Sequence, residues 1–351
     1  MKCIKEYWND IQIACEHIVN VKALYGQSIL ITGGTGLICS PIAEMLIFLN
    51  REKNTGIKIY LAGRSRERMQ KRFEDFQEGT DYIFVPYDAT QNQSLNVSAD
   101  YIIHGASNAN PSAYMSQPVE TMMANIIGLK SLLDLAVQNK SRRVLYISSS
   151  EVYGNKDEAR PYRETDYGYL DILNERASYP SSKRAAETLC ASYGMEYGVE
   201  TVIVRPGHIY GPTITESDSR AAAQFIRNAV NGENIIMKSA GTQLRSYCHA
   251  FDCATAILTV LLNGKDREAY NISNPSSVIT ISKLATLLAE TVGKKVVYEE
   301  ASVNEKKGYN LMNNSSLDSE KLEKLGWTAM YDAGEGAKRT VEIMRKMRSN
   351  E

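Results

Sequence analysis

Apolar residues recur at spacings of three and four in Ile4, Trp8, Ile11, Cys15 and Ile18, which predicts an amphipathic helix ahead of residue 25. The period then shortens. Compact apolar runs starting at Ser28 and covering 57–62, 82–86, 100–104 and 143–148 predict five buried strands. Helical spacing returns over 39–50, 119–138 and 179–197, with a charged helix over 67–76. Strands alternating with helices in this way predict an α/β fold built on a doubly wound parallel sheet. Farther on, helices are expected at 221–231, 252–262, 281–292, 319–325 and 333–348, with a short strand at 234–238. These make a smaller C-terminal lobe. The expected divisions are an N-terminal helical extension over 1–26, a sheet domain over 27–205 to which 246–275 returns, and a second lobe from 206–245 and 276–351.

The first strand empties into Thr32-Gly33-Gly34-Thr35-Gly36-Leu37-Ile38, and a helix begins at once with Cys39. Glycines there permit tight dihedrals and let a pyrophosphate approach the main chain, while the helix N-terminus offers free N–H groups and a positive dipole end. Strand, glycine turn and helix in that order predict a dinucleotide site on a Rossmann-type sheet. Its contacts are expected from Gly33, Gly34, Thr35, Gly36, Leu37 and Ile38. The tip of the second strand, Gly63-Arg64-Ser65-Arg66, falls where such folds meet the adenosine ribose. No acid stands there, and Arg64 with Arg66 suits a 2′-phosphate, which tilts the cofactor toward NADP. Asp88-Ala89 ends the third strand, placing a carboxylate within reach of the adenine amino group. Gly105, Ala106 and Ser107 are small enough for the chain to pass close to a flat cofactor, and His104 reads as a packed core histidine.

The fifth strand ends in Ser148-Ser149-Ser150-Glu151-Val152-Tyr153-Gly154, and Tyr179-Pro180-Ser181-Ser182-Lys183 opens a later helix. Tyr179 and Lys183 are four apart and share one helical face. An ammonium beside a phenol favours the phenolate, and so does a positively charged nicotinamide. Together they draw a group of ordinary pKa about 10 toward the working pH, where it serves as a general base. A serine hydroxyl from the strand end can share the substrate proton.

Composition narrows the partners. With 351 residues, 43% hydrophobic, 23% charged and a net charge of −1, the chain has ordinary globular make-up and no general attraction to nucleic acid or anionic lipid. Its six cysteines are scattered without C-x-x-C or histidine spacing, so no metal site and no disulfide framework are expected. No apolar run reaches membrane-spanning length and the N-terminus does not read as a signal peptide, so a cytoplasmic location is expected.

From about Ser28 to Trp327 the chain resembles the extended short-chain dehydrogenases, the family of nucleotide-sugar epimerases, dehydratases and decarboxylases. The motifs are the glycine turn, His104-Gly105-Ala106-Ser107, 149–154, Tyr179-x-x-x-Lys183, Arg205-Pro206-Gly207-His208-Ile209-Tyr210-Gly211-Pro212 and Leu325-Gly326-Trp327. The resemblance implies Tyr179 as base, Lys183 on the nicotinamide ribose, Ser149 as hydroxyl partner and hydride transfer from sugar C4. It implies further cofactor contacts at Ser148, Pro206 and His208, and substrate contacts at Asn108, Tyr114, Ser150, His208 and Arg220. Arg245 sits where the family clamps the nucleotide diphosphate, a pairing that bidentate arginine suits. A homodimer through the helices at 119–138 and 179–197 is likewise implied.

One part resembles UDP-glucuronate decarboxylases in particular: residues 100–111, then Tyr114-Met115, Pro118 and Ser149-Ser150-Glu151. The carboxylate of Glu151 near the hydride site can move a proton at C5 or order the oxidised sugar. Dehydratases carry an aspartate where this chain has Ser150, which argues against 4,6-dehydration. Three departures stand out. Cys39 replaces the third glycine of the turn and is expected to loosen helix–strand packing; His208 replaces an asparagine; and no arginine lies between Lys307 and Leu317. The polar stretch 213–220 reads as a lid over the nucleotide. The expected function is NAD- or NADP-dependent oxidation of a nucleotide-diphosphate sugar at C4 with chemistry on the 4-keto form, decarboxylation favoured. A 4-epimerase or 4,6-dehydratase, an NADPH-dependent 4-keto-sugar reductase and a non-catalytic dinucleotide sensor stay open. Arg64 favours NADP, whereas an internal redox cycle favours NAD.

Overall fold

The computed structural model describes residues 4–109, 111–156, 159–174, 176–302 and 312–349. Asn110 and the start of the 307–317 segment lie outside them. Short apolar strands build the sheet: β1 (Ser28–Thr32), β2 (Lys58–Gly63), β3 (Ile83–Pro86), β4 (Tyr101–His104), β5 (Arg143–Ile147) and β6 (Thr201–Pro206). Three strands of the second lobe follow, β7 (His208–Tyr210), β8 (Ile235–Met237) and β9 (Leu244–His249), before β10 (Glu268–Ile272) rejoins the first sheet. The order is β10-β6-β5-β4-β1-β2-β3, seven strands with every pair parallel.

A parallel sheet must be covered on both faces, and residue alternation does this here. Ile29, Ile31, Leu61, Ile103 and Val204 pack on one side, with α1 (Lys5–Glu16), α2 (Cys39–Lys53) and the buried helix Ala250–Asn263. Leu30, Ile102, Val144 and Ile203 face the other side, toward the helices Pro118–Asn139 and Ser178–Tyr197. The chain reverses its direction of winding between β1 and β4. Ligands of such sheets sit beyond the strand ends at that point.

The N-terminal helix is part of this core. Tyr7 donates to the buried carboxylate of Glu44 at 2.5 Å, and Asp10 pairs with Arg339 of the C-terminal helix Ala333–Ser349. The charged helix expected over 67–76 is shorter than its pattern and ends at Arg72. Phe73 and Phe76 drop out of it into the core, where burial outweighs helical continuation. In the second lobe Phe225, Ile226, Met237, Tyr247, Leu284 and Leu288 form a separate core. Among the described residues no helix is long and apolar enough to cross a membrane.

Candidate active site

The glycine turn is shaped by contact with the end of β4. Gly33 adopts φ +73°, and a Cβ there would lie 2.8 Å from the Gly105 carbonyl carbon and 2.9 Å from the Ala106 nitrogen. Thr32 binds the two segments together, its hydroxyl accepting from the Gly105 and Ala106 amides at 3.1 Å each and meeting His104 Nδ1 at 2.8 Å. His104 is buried and its pKa is pushed down to about 3 by burial, so it is a neutral packing residue. The hydroxyl of Ser107 is buried and has no partner in the protein. A turn without room for side chains, beside an unsatisfied hydroxyl at the switch point, fits a dinucleotide.

Cys39 does not loosen this region. Its sulfur is buried against Gly105, filling the space where a side chain there would stand. At the tip of β2, Arg64 is exposed, but Arg66 pairs with Glu78 at 3.0 Å and lies over the Phe84 ring. Only one of the two arginines expected at the ribose therefore has a free head. Asp88 accepts from the Thr90 amide and hydroxyl at 3.0 and 2.8 Å, closing the turn after β3. The Ser148 hydroxyl donates to Glu187 at 2.5 Å, so its proton is taken and its oxygen can only accept from a ligand.

Tyr179 and Lys183 are both buried on the helix Ser178–Tyr197. Lys183 Nζ donates to the carbonyl of Ile147 at 2.7 Å and lies 5.7 Å from the centre of the Tyr179 ring. Burial pushes this lysine down to about 7. The phenol is pushed up to about 12, chiefly by burial; a hydrogen bond from Ser149 and the charge of Arg220 oppose this, and Glu151 adds to it. Without nucleotide, desolvation dominates both groups, so Lys183 by itself does not bring the phenol down. Ser149 also accepts from the Glu151 amide at 3.2 Å, starting the turn Ser150–Tyr153 that carries Glu151 toward the cavity.

Tyr114 stacks on Tyr179 with ring centres 5.2 Å apart, and from there a cavity of about 920 Å³ opens into the second lobe. Glu151, Arg176, His208, Arg220 and Arg245 line it together with Tyr114. Among the described residues its basic lining is Arg176, Arg220, Arg227, Lys238 and Arg245, against the single carboxylate of Glu151. Such a balance suits a polyanion. Burial raises the Glu151 pKa, while Arg176 and Arg245 hold it down. Arg220 grips Asp218 through Nε at 3.0 Å and Nη2 at 2.6 Å, which organises the 213–220 stretch. His208 is held at about 3 by burial and by Arg245 and Arg220, so its imidazole is neutral, with a buried Nδ1 that has no partner. Asn108 and Ser150 do not line the cavity; the Asn108 amide donates to Thr121 at 3.4 Å and Ser150 is buried. Sequence reasoning missed Arg176 and Tyr247. The signal for Arg176 was its place three residues before Tyr179.

The profile of the NAD dependent epimerase/dehydratase family matches residues 29–273. UDP-glucuronic acid decarboxylase 3 of Arabidopsis thaliana is 32% identical, over 88% of this chain and 86% of its own. UDP-glucuronic acid decarboxylase 1 of Xenopus tropicalis is 30% identical, over 91% and 72%. The solved UDP-glucose 4-epimerase of Thermotoga maritima, crystallised with UDP-glucose, shares the fold at a TM-score of 0.77 and 24% identity, over 92% of this chain and 99% of that one. With strand order, glycine turn and Tyr179–Lys183 pair in agreement, the chain belongs to the NAD dependent epimerase/dehydratase family.

Proposed function

We propose that this protein is an NAD-dependent decarboxylase of a nucleotide-diphosphate hexuronic acid, with UDP-glucuronate the first substrate to test. The observation that carries the reading is Glu151 with Arg176 beside Tyr179, in a cavity whose charged lining is otherwise cationic among the described residues. The relatives that bear this activity in their names cover most of the chain.

In this reading Gly33–Ile38 and Gly105–Ser107 cradle NAD, and Lys183 holds its ribose. When bound, NAD supplies a reversible hydride acceptor whose positive ring also favours the phenolate. Tyr179 takes the proton of the C4 hydroxyl, and Ser149 steadies the phenol through their hydrogen bond. With C4 a carbonyl, the C5–C6 bond breaks, its electron pair moves onto the C4 oxygen, and carbon dioxide leaves. A proton then returns to C5, and as the hydride that bound NAD would hold is given back to C4, Tyr179 returns its own proton to the C4 oxygen. Arg220, Arg227 and Arg245 take the diphosphate. Ser150, a neutral hydroxyl where dehydratases need an acid, disfavours loss of the C6 oxygen. A homodimer through the helices Pro118–Asn139 and Ser178–Tyr197 belongs to the proposal, supported by the exposed Val119, Met195 and Tyr197 on them.

The test is incubation with UDP-glucuronate and NAD, followed by mass spectrometry and NMR of the sugar nucleotide. The expected product is a UDP-pentose with one carbon dioxide released per sugar. A product isomeric with the substrate sinks decarboxylation in favour of epimerisation. Arg64 supports a second reading, an NADPH-dependent keto-sugar reductase. Stoichiometric loss of NADPH absorbance with a 4-keto sugar nucleotide would establish it.

A further inference from the structure

Three arginines, two of them lining the cavity, use their side-on edge, Nε with Nη2, very differently. Arg205 closes this edge on Glu187, with Nε to Oε1 at 3.0 Å and Nη2 to Oε2 at 2.6 Å. Arg220 does the same with Asp218. In Arg176 only half the edge is used. Its Nη2 donates to Tyr114 Oη at 2.7 Å and to one oxygen of Glu151 at 3.2 Å, while its Nε is buried with no partner. A buried guanidinium N–H without an acceptor costs stability unless a ligand or a moved neighbour satisfies it.

Its position says which ligand group suits it. Arg176 lies over the Tyr114 ring, and Tyr114 stacks on Tyr179. If Tyr179 reacts at the C4 hydroxyl, the substituent on the adjacent carbon falls beside that stack. Arg245 is a poorer candidate, being buried in β9 with Nη1 bound to the Leu244 carbonyl. Arg220 already has its carboxylate. We infer that the Nε–Nη2 edge of Arg176 receives the sugar carboxylate at C6, taking over from Glu151, and so selects uronic acids over neutral hexoses. This rests on the decarboxylase reading for the substrate, but it concerns recognition and not bond breaking.

Bidentate arginine–carboxylate pairing is geometrically specific, and lysine does not reproduce it. The test is calorimetric binding of UDP-glucuronate and UDP-glucose, which differ only at C6, to NAD-loaded protein carrying Tyr179→Phe so that the substrate persists. The expected result is at least about tenfold preference for UDP-glucuronate. Adding Arg176→Gln should abolish that preference while leaving UDP-glucose affinity within about twofold. Arg176→Lys, which keeps the charge but not the edge, should keep only part of it. Equal weakening of both ligands, or a preference unchanged in both variants, overturns the inference and leaves Arg176 as a brace for Glu151 and Tyr114. An Arg176-dependent preference without release of carbon dioxide upholds the contact while sinking the decarboxylase reading. Carbon dioxide release with a preference indifferent to Arg176 does the reverse.

Discussion

The sulfur of Cys39 occupies the volume that a side chain at Gly105 would need. A thiol at the first residue of α2 and a missing side chain at the end of β4 are therefore one packing unit, set against the nucleotide turn. A Cβ on Gly105 would also come within 3.2 Å of Ile147 Cδ1 and of the Thr32 carbonyl oxygen. Gly105→Ala should thus cost about 1–3 kcal/mol through overpacking. In a Cys39→Ala background the same change should cost less, with a coupling of at least about 0.5 kcal/mol. Urea denaturation of the four proteins checks this; additive costs would mean that the two sites do not share the space.

Lys183 gives the folded protein a pH signature. Its pKa falls from 10.5 to about 7 on burial. Between those values the unfolded chain binds a proton that the native protein does not, so this group makes stability rise with pH. Lys183→Met removes the effect. Stability of wild type relative to Lys183→Met should therefore increase between pH 7 and pH 9, both proteins being measured free of nucleotide by urea denaturation. Tyr179, raised from 10.0 to about 12, works in the opposite direction above pH 10, which is why the comparison stops short of it. A difference that does not change with pH would show that Lys183 stays protonated throughout.

How far the chain could be read in advance follows from what each signal depends on. Strands β1, β2, β4 and β5 were legible because both their faces are largely buried, and β3, at the sheet edge with Phe84 buried, because its short run is apolar. Tyr179 and Lys183 were legible because a helical repeat alone puts them together. Their protonation was not, since desolvation depends on everything packed around them. Strand β9 hid behind alternating polar residues, Arg245 and Ser246 among them, which are buried by the second lobe and not by the sheet. Arg176 precedes its helix in a stretch with no apolar period, so the one local mark of its part in the cavity was its place three residues before Tyr179. The exchange at Cys39 reads as damage in sequence, because the compensating absence lies at Gly105, on another strand end.

Arg64 should decide how well the protein tolerates a 2′-phosphate. It is exposed at the end of β2, next to Ser65, which caps the following helix by accepting from the Arg68 amide at 3.1 Å. With Arg66 held by Glu78, one guanidinium is left for the ribose. Arg64→Ala should weaken NADP binding by about tenfold and NAD binding by no more than about twofold, read by fluorescence titration. Equal losses for the two cofactors would place Arg64 away from the 2′ position.

The N-terminal helix is held by a charge pair that its own sequence cannot satisfy. Asp10 is fully buried, and Arg339 from the far end of the chain is its cation. Burial raises the Asp10 pKa, and Arg339 works against that rise. Removing one partner of a buried pair leaves the other uncompensated, which is costlier than removing both. Arg339→Met should therefore destabilise the protein by up to about 3 kcal/mol at neutral pH, whereas Arg339→Met with Asp10→Asn should recover part of the loss. Without its arginine, Asp10 takes up a proton more readily, so the deficit of Arg339→Met relative to wild type should shrink as pH falls from 7 to 5. Denaturation midpoints at the two pH values test the pairing. A deficit that is constant with pH would mean that Arg339 acts through the packing of its stem and not through its charge.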